Sequence, residues 1–204
     1  MLQISTVQSS TLELLINIQK VEILKSTRLV GGTALALQLG HRVSIDLDLF
    51  GHIDGDNEKI ADCLIEEGFD VVRKTNTQNI HVFMINNVKT DIVNYKRYSW
   101  IDDLIEDSGI RMAGLKDIAA MKVAAITNRG SKKDFIDLFF LLKTFNLQTI
   151  IELYLTKYFD ANLFPAIRSL AYFDDAEKDE MPKMLIPTKW EDVKDKIASE
   201  VKKY

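Results

Sequence analysis

The chain has 204 residues, 47% hydrophobic and 27% charged, with a net charge of −4. That is enough for one globular unit or two small lobes sharing a core, and the global charge does not advertise a nucleic-acid binder. No run approaches the ~18–20 apolar residues of a membrane span, and a single cysteine, Cys63, excludes an internal disulfide and a cysteine-built zinc site. The first residues, Met-Leu-Gln-Ile-Ser-Thr, lack the basic and apolar regions of a signal peptide, so a cytoplasmic location is the default expectation.

Residues 10 to 25 carry apolar side chains at Leu12, Leu15, Ile16, Ile18, Ile23 and Leu24, near-helical spacing, with Ser9, Ser10 or Thr11 as caps. A short strand then ends at Leu29-Val30. Gly31-Gly32 forms a turn, a helix runs from about Thr33 to Leu39, and a strand covers Ser44 to Phe50. Residues i and i+2 of a strand share a face. Asp46 and Asp48 should therefore stand side by side with Ser44, while Ile45, Leu47 and Leu49 point into a core.

Adjacent carboxylates on a rigid strand repel each other, and their natural use is to hold a hard cation such as Mg²⁺ (or Mn²⁺) that bridges to phosphate. The bland alternative is two solvent-facing acids. The Gly31-Gly32 turn at a helix start offers free N–H groups to an anion, and glycine permits close approach. Ser44 could bind a phosphate oxygen or a sugar, and Arg42 could face phosphate or pair with a carboxylate at the core edge. An EF-hand fails in both registers: Phe50 falls where an oxygen ligand belongs, and in the other Lys59 replaces Gly and Ile65 replaces Glu. His41 reads as a surface residue, and the scattered histidines do not suggest zinc.

Further along, 51–56 reads as a loop and Asn57–Glu67 as a helix, with Ile60, Ala61, Leu64 and Ile65 inward and Gly68 as its cap. Strands follow at Phe69–Lys74, Ile80–Ile85 and Val88–Val93, with Asn86-Asn87 as a tight turn. The last contains Asp91, either a third metal ligand or an edge residue on the surface. Tyr95 to Gly109 is irregular and charged, a connection between lobes. Beyond Gly114 the period turns helical: Leu115, Ile118, Ala119, Val123 and Ile126 form one stripe. Phe135, Leu138, Phe139 and Leu142, within Asp134–Phe145, form another. Helices are also expected at 147–158, 162–172 and Trp190–Lys203, with an acidic exposed loop at 174–180. Lys122 and Arg129 share a helix face, as do Asp134 and Asp137 on the next helix; an interhelical ion-pair network is the structural reading of these four. Lys122, Arg129, Lys132 and Lys133 make one basic cluster, and Lys96 and Arg97 beside Tyr95, Tyr98 and Trp100 another. Either could meet RNA or be a solvated surface.

Gly31-Gly32-Thr33 followed by Arg42-x-Ser44-x-Asp46-x-Asp48-x-Phe50 resembles the nucleotidyltransferase superfamily of DNA polymerase β-like folds, most of all its AbiEii/AbiGii-type toxins. The resemblance is specific over the first fifty residues and looser to about residue 145. It implies an α/β (α+β) fold: a small mixed nucleotidyltransferase sheet with flanking helices in a core lobe, 1–100, and a helical C-terminal lobe, 110–204. It also implies Asp46, Asp48 and Asp91 as metal ligands, and Gly31, Gly32, Thr33, Arg42 and Ser44 at the nucleotide. Lys122 would contact the triphosphate, and Asp134 would orient that lysine or the acceptor. The implied activity moves an NMP from an NTP to an acceptor hydroxyl, on tRNA or protein, with growth inhibition as outcome and a cognate antitoxin as partner. A small-molecule (antibiotic-type) nucleotidyltransferase and a non-catalytic nucleotide-binding module are the alternatives.

Overall fold

The computed structural model describes the backbone of residues 1–204 and every side chain except that of residue 76. Its sheet has seven strands: β1 (Arg28–Leu29), β2 (Leu47–Gly51), β3 (Val71–Asn76), β4 (Ile80–Ile85), β5 (Val88–Asn94), β6 (Ile105–Asp107) and β7 (Ile110–Met112). Their order is β3-β4-β5-β2-β1-β7-β6. β3, β4 and β5 form an antiparallel meander, and β5 then lies parallel to β2. The β4–β5 turn has Asn86 and Asn87 at φ 48° and 66°. Asparagine tolerates that left-handed pair, which is what a two-residue hairpin needs.

The helices are α1 (Ser9–Ile18), α2 (Gly31–Leu39), α3 (Asn57–Glu66), α4 (Leu115–Asn128), α5 (Lys132–Leu141), α6 (Leu147–Lys157), α7 (Leu163–Leu170), α8 (Asp174–Glu177) and α9 (Trp190–Lys203). One continuous apolar core joins the inner sheet face to these helices: Leu47, Leu49 and Ile92 from β2 and β5 are fully buried, as are Ile118, Val123, Phe135 and Leu138 from α4 and α5. None of the helices among the described residues is long and apolar enough to cross a membrane.

Several expectations need correction. The helix over 10–25 stops at Ile18, and Glu22–Leu24 forms a separate 3₁₀ turn. The buried Gln19 side chain leaves the helix path to bond the backbone N–H and C=O of Arg111 on β7, at 2.9 and 2.8 Å. The strand expected from Ser44 begins only at Leu47, because the N–H groups of Val43 and Ser44 bond the carbonyls of Lys183 and Thr6 rather than a strand. Ile45 therefore points to solvent, 58% exposed, and Ile65 is also outside at 51%. The stretch read as irregular from Tyr95 to Gly109 contains β6, and the β6–β7 hairpin extends the sheet beyond β1. α5 starts at Lys132, two residues earlier than expected, and ends at Leu141, four residues earlier than expected. The acidic loop holds the single turn of α8.

Gly51 closes β2 against β1. A Cβ there would lie 2.6 Å from the Ser26 carbonyl oxygen and 2.7 Å from Thr27 Cα, and backbone cannot swing aside as a side chain can. Gly51→Ala should cost about 2 kcal/mol, seen as a melting temperature lower by roughly 4–8 °C in thermal unfolding. An unchanged melting temperature would mean that the β1–β2 pair yields freely.

Candidate active site

The cleft sits where α2 starts, at the N-terminal ends of the parallel pair β2 and β5. Register places Asp48 directly beside Asp91. Paired residues of adjacent strands share a face, so the two carboxylates are neighbours, and Leu49 and Ile92 face the core opposite. Asp46 precedes β2 in the loop, not in the strand, yet lines the same cleft of about 340 Å³.

The glycine pair works by proximity. Gly31 has φ +68°, and a Cβ on it would run into the Asp48 carboxylate. A Cβ on Gly32 would meet the Arg42 guanidinium and lie 3.3 Å from Ser44 Oγ. Both glycines thus admit the chain's own polar groups; Gly32 also lines the cleft, and Gly31 packs under Asp48. Thr33 is buried and holds the loop before β2: its hydroxyl donates to the Asp46 carbonyl and shares a 2.9 Å hydrogen bond with the Ser44 hydroxyl. Ser44 itself reaches the cleft.

Enclosure at the cleft floor pushes the Asp48 carboxyl up to about 6, the adjacent Asp91 charge adds to the rise, and Lys122, Lys89 and Arg129 oppose it. Asp48 retains an intermediate surface fraction. Its carboxylate is nevertheless surrounded by protein on the floor of a concave site, and that enclosure sets its solvation. Lys89 grips Asp91 through both oxygens at 2.7 and 2.9 Å, and the Lys133 ammonium stands 3.8 Å from Asp46. Burial lowers the Lys89 pKa, but the hydrogen bond to Asp91 and the charges of Asp91, Asp46 and Asp48 outweigh it and hold it raised. Among the described residues no three acidic, histidine or cysteine side chains form a ready-made metal cage. The donor set still fits a hard cation that keeps part of its shell: Mg²⁺ is commonly held by one or two carboxylates plus substrate phosphates.

Behind the cleft lies a buried charge network. Asp137 accepts two hydrogen bonds from Arg42 at 2.7 and 2.9 Å, is 2.8 Å from His41 Nε2, and lies 2.6 Å from the Lys122 ammonium. Asp134 accepts from Lys122 at 2.9 Å, from Arg129 at 2.8 and 3.0 Å, and from Ser131 at 2.7 Å. Burial works to raise both carboxyls, but the Lys122 charge, with Arg42 for Asp137 and Arg129 for Asp134, holds each well below the usual range. Lys122 lines the cleft; Asp134 and Asp137 do not. His41, expected at the surface, is fully buried against Phe140, because a hydrogen bond to Asp137 makes its burial tolerable.

Two contributors escaped sequence reasoning. Lys89 was visible in principle, being i−2 from Asp91 on a strand. Lys183 was not. The segment after α8 crosses back to pair Met184 with Arg42. Val43 N donates to the Lys183 carbonyl at 2.8 Å, and Leu185 and Ile186 donate to the His41 carbonyl at 2.9 and 3.1 Å. Pro182 and Lys183 thereby become a wall of the cleft. In the second basic cluster Lys96 pairs with Asp54 and Arg97 with Asp160, while in the first Lys132 turns away to bond the carbonyls of Glu177 and Asp179.

This fold is shared with solved structures. JHP933 from Helicobacter pylori superposes with a TM-score of 0.57 at 19% identity, covering 96% of this chain and 92% of that one. MenT4, a nucleotidyltransferase toxin from Mycobacterium tuberculosis H37Rv, gives 0.51 at 14% identity over 97% and 86%. The class, which the family match below shows, is that of the nucleotidyltransferases. More particularly, the model of the nucleotidyl transferase AbiEii toxin family, type IV TA system, matches residues 14–203, and the chain belongs to that family. The aq_aa25 protein of Aquifex aeolicus (strain VF5) is 34% identical over 184 residues, 86% of each chain.

A carboxyl whose folded pKa lies above its unfolded value binds more protons folded than unfolded, so its contribution to stability falls as pH rises. For Asp48 the window runs from the ordinary carboxylate value of 3.8 to about 6. Asp48→Asn should therefore match wild type below pH 4 and be more stable above pH 6, by on the order of 1–2 kcal/mol. Urea unfolding at pH 3.5 and 7.5 measures this; equal stability at both would mean that Asp48 ionises as freely as a surface acid.

Proposed function

We propose that the cleft binds a nucleoside triphosphate and transfers its NMP to an acceptor hydroxyl. The hydroxyl oxygen bonds to the α-phosphorus, the bond from that phosphorus to the bridging oxygen breaks, and pyrophosphate leaves; the hydroxyl proton passes to a cleft carboxylate. The observation that carries this reading is the juxtaposition of Asp48 and Asp91 across parallel strands, with Asp46 in the same cleft and the start of α2 beside them. In this reading the core lobe, about 1–100, and the helical lobe, about 110–204, each supply one wall.

Phosphoryl chemistry needs positioning and positive charge more than covalent help. Lys122, Arg129 and Lys133 bring cationic groups to the cleft from the helical side. Arg42, Lys122 and Arg129 together meet only Asp134 and Asp137 in the network, which leaves one positive charge in surplus behind the floor. That surplus favours an anion in front. Lys122 stays charged because Asp137 and Asp134 outweigh the effect of its burial, so it can face phosphate oxygens as a fixed cation. Gly32 and Ser44 would border the nucleotide, while Thr33, Gly31 and Asp134 act on it through the groups they hold. Mg²⁺ or Mn²⁺, held by Asp48, Asp91 and Asp46 with triphosphate oxygens, would stabilise the charge on the transferred and leaving phosphates.

The acceptor we favour is a hydroxyl of tRNA or protein, the action is in the cytoplasm, and a cognate antitoxin restrains it; family membership supports this. Abortive infection would be the setting. The test incubates the chain with each labelled NTP, Mg²⁺ and total tRNA. Wild type should label RNA or itself, and Asp46→Ala or Asp48→Ala should lose about 10²-fold or more, the scale of removing key transition-state charge stabilisation. Chelation by EDTA should stop transfer as well. Equal labelling by wild type and both variants would remove these carboxylates from the mechanism.

A further inference from the structure

Lys89 stands two residues before Asp91 on β5, so both side chains leave the same face of the strand. Its ammonium caps both oxygens of that carboxylate, at 2.7 and 2.9 Å. The side chain is 46% exposed, on a flexible four-carbon stem, so its head can swing away. Asp91 is also the carboxylate that register sets against Asp48. An ammonium placed there does what a bound cation would do: it cancels the repulsion between adjacent acids.

We propose that Lys89 is a resident counter-ion that must leave Asp91 before a divalent metal can be held there, and that it thereby sets the metal affinity of the cleft. The proposal rests on reading the cleft as a nucleotide and metal site. A bare cation arriving alone must displace the ammonium and leave it with no anion. A cation arriving with a polyphosphate brings the released ammonium a new oxyanion partner. Metal binding is then weak without nucleotide and strong with it. Lys89 is a positioning residue in this scheme, and it acts through Asp91.

The test measures Mn²⁺ binding to the full chain by electron paramagnetic resonance of free Mn²⁺, for wild type, Lys89→Met, Lys183→Met and Asp91→Asn. Lys89→Met should bind Mn²⁺ at least about fivefold tighter, the scale of one partly exposed ion pair. Lys183→Met, which removes a cation at the cleft wall that grips no carboxylate among the described residues, should stay near wild type. Binding of tripolyphosphate with Mg²⁺ present should move the other way and weaken several-fold in Lys89→Met. An unchanged Mn²⁺ affinity in Lys89→Met, with Asp91→Asn still weakening it, overturns the role of Lys89 and leaves the cleft reading intact. Equal gains in Lys89→Met and Lys183→Met would show a diffuse field effect and also overturn it, as would tripolyphosphate binding that does not weaken. If Asp91→Asn leaves Mn²⁺ binding unmoved, the metal reading of the cleft falls first. Melting curves of each variant confirm that the comparison is between folded chains.

Discussion

Asp137 is the point on which the architecture turns. It lies fully buried on α5, and it receives Arg42 and His41 from the loop after α2 and Lys122 from α4. Two separate pieces of chain are thus tied to the α5 carboxylate. Buried ion pairs contribute little net stability against a well-packed apolar alternative, since desolvation offsets much of the attraction. Their value is in geometry: a charge left alone in the core costs several kcal/mol, so arrangements that separate these groups are strongly disfavoured. The network therefore fixes where the Arg42–Asp46 loop sits relative to the helices, and with it where Asp46 and Asp48 stand.

The same loop explains why the acids are not a simple strand pair. Between Gly40 and Leu47 the backbone bonds outward, to Thr6 on one side and to Lys183 and the 184–186 segment on the other. Held at both edges, the loop cannot join the sheet, and Thr33 closes it from below. Asp46 is left in a position distinct from that of Asp48, able to face the cleft without sharing a strand face. Three carboxylates on one strand face would repel at every step; distributing them over a loop, β2 and β5 lets lysines reach two of them while the third stays enclosed.

Much of this was legible in the sequence. The meander, the Asn86-Asn87 turn and the helical stripes from Leu115 onward follow from local periodicity and turn chemistry, whereas Gly31 and Gly32 open α2 instead of forming a separate turn before Thr33, and only Asp48 of the Asp-x-Asp pair lies in β2. Asp91 could be placed near Asp48 because a meander returns β5 toward β2. What stayed hidden depends on contacts between distant segments. Ile45 alternates as a core residue should, but the backbone around it is claimed by Thr6 and Lys183, which no local pattern reveals. His41 looked exposed because its partner lies ninety-six residues away. The glycines were read as room for a phosphate; in the fold they first make room for Asp48 and Arg42.

The distribution of charge, more than any single residue, gives the cleft its direction. Lys122 and Arg42 are set deep and held by Asp134 and Asp137, and Arg129 reaches Asp134 from the end of α4. Asp48 and Asp91 are set on the sheet with Asp46 in the loop before it, and the Asp48 carboxyl is pushed up by its surroundings. A ligand that is anionic along one edge and carries a cation along the other satisfies both walls at once. A purely cationic ligand would meet the lysines, and a purely anionic one would meet the aspartates. In the proposed reading, a polyphosphate bound with its counter-ion would match this arrangement of charge before any base or sugar contact is made.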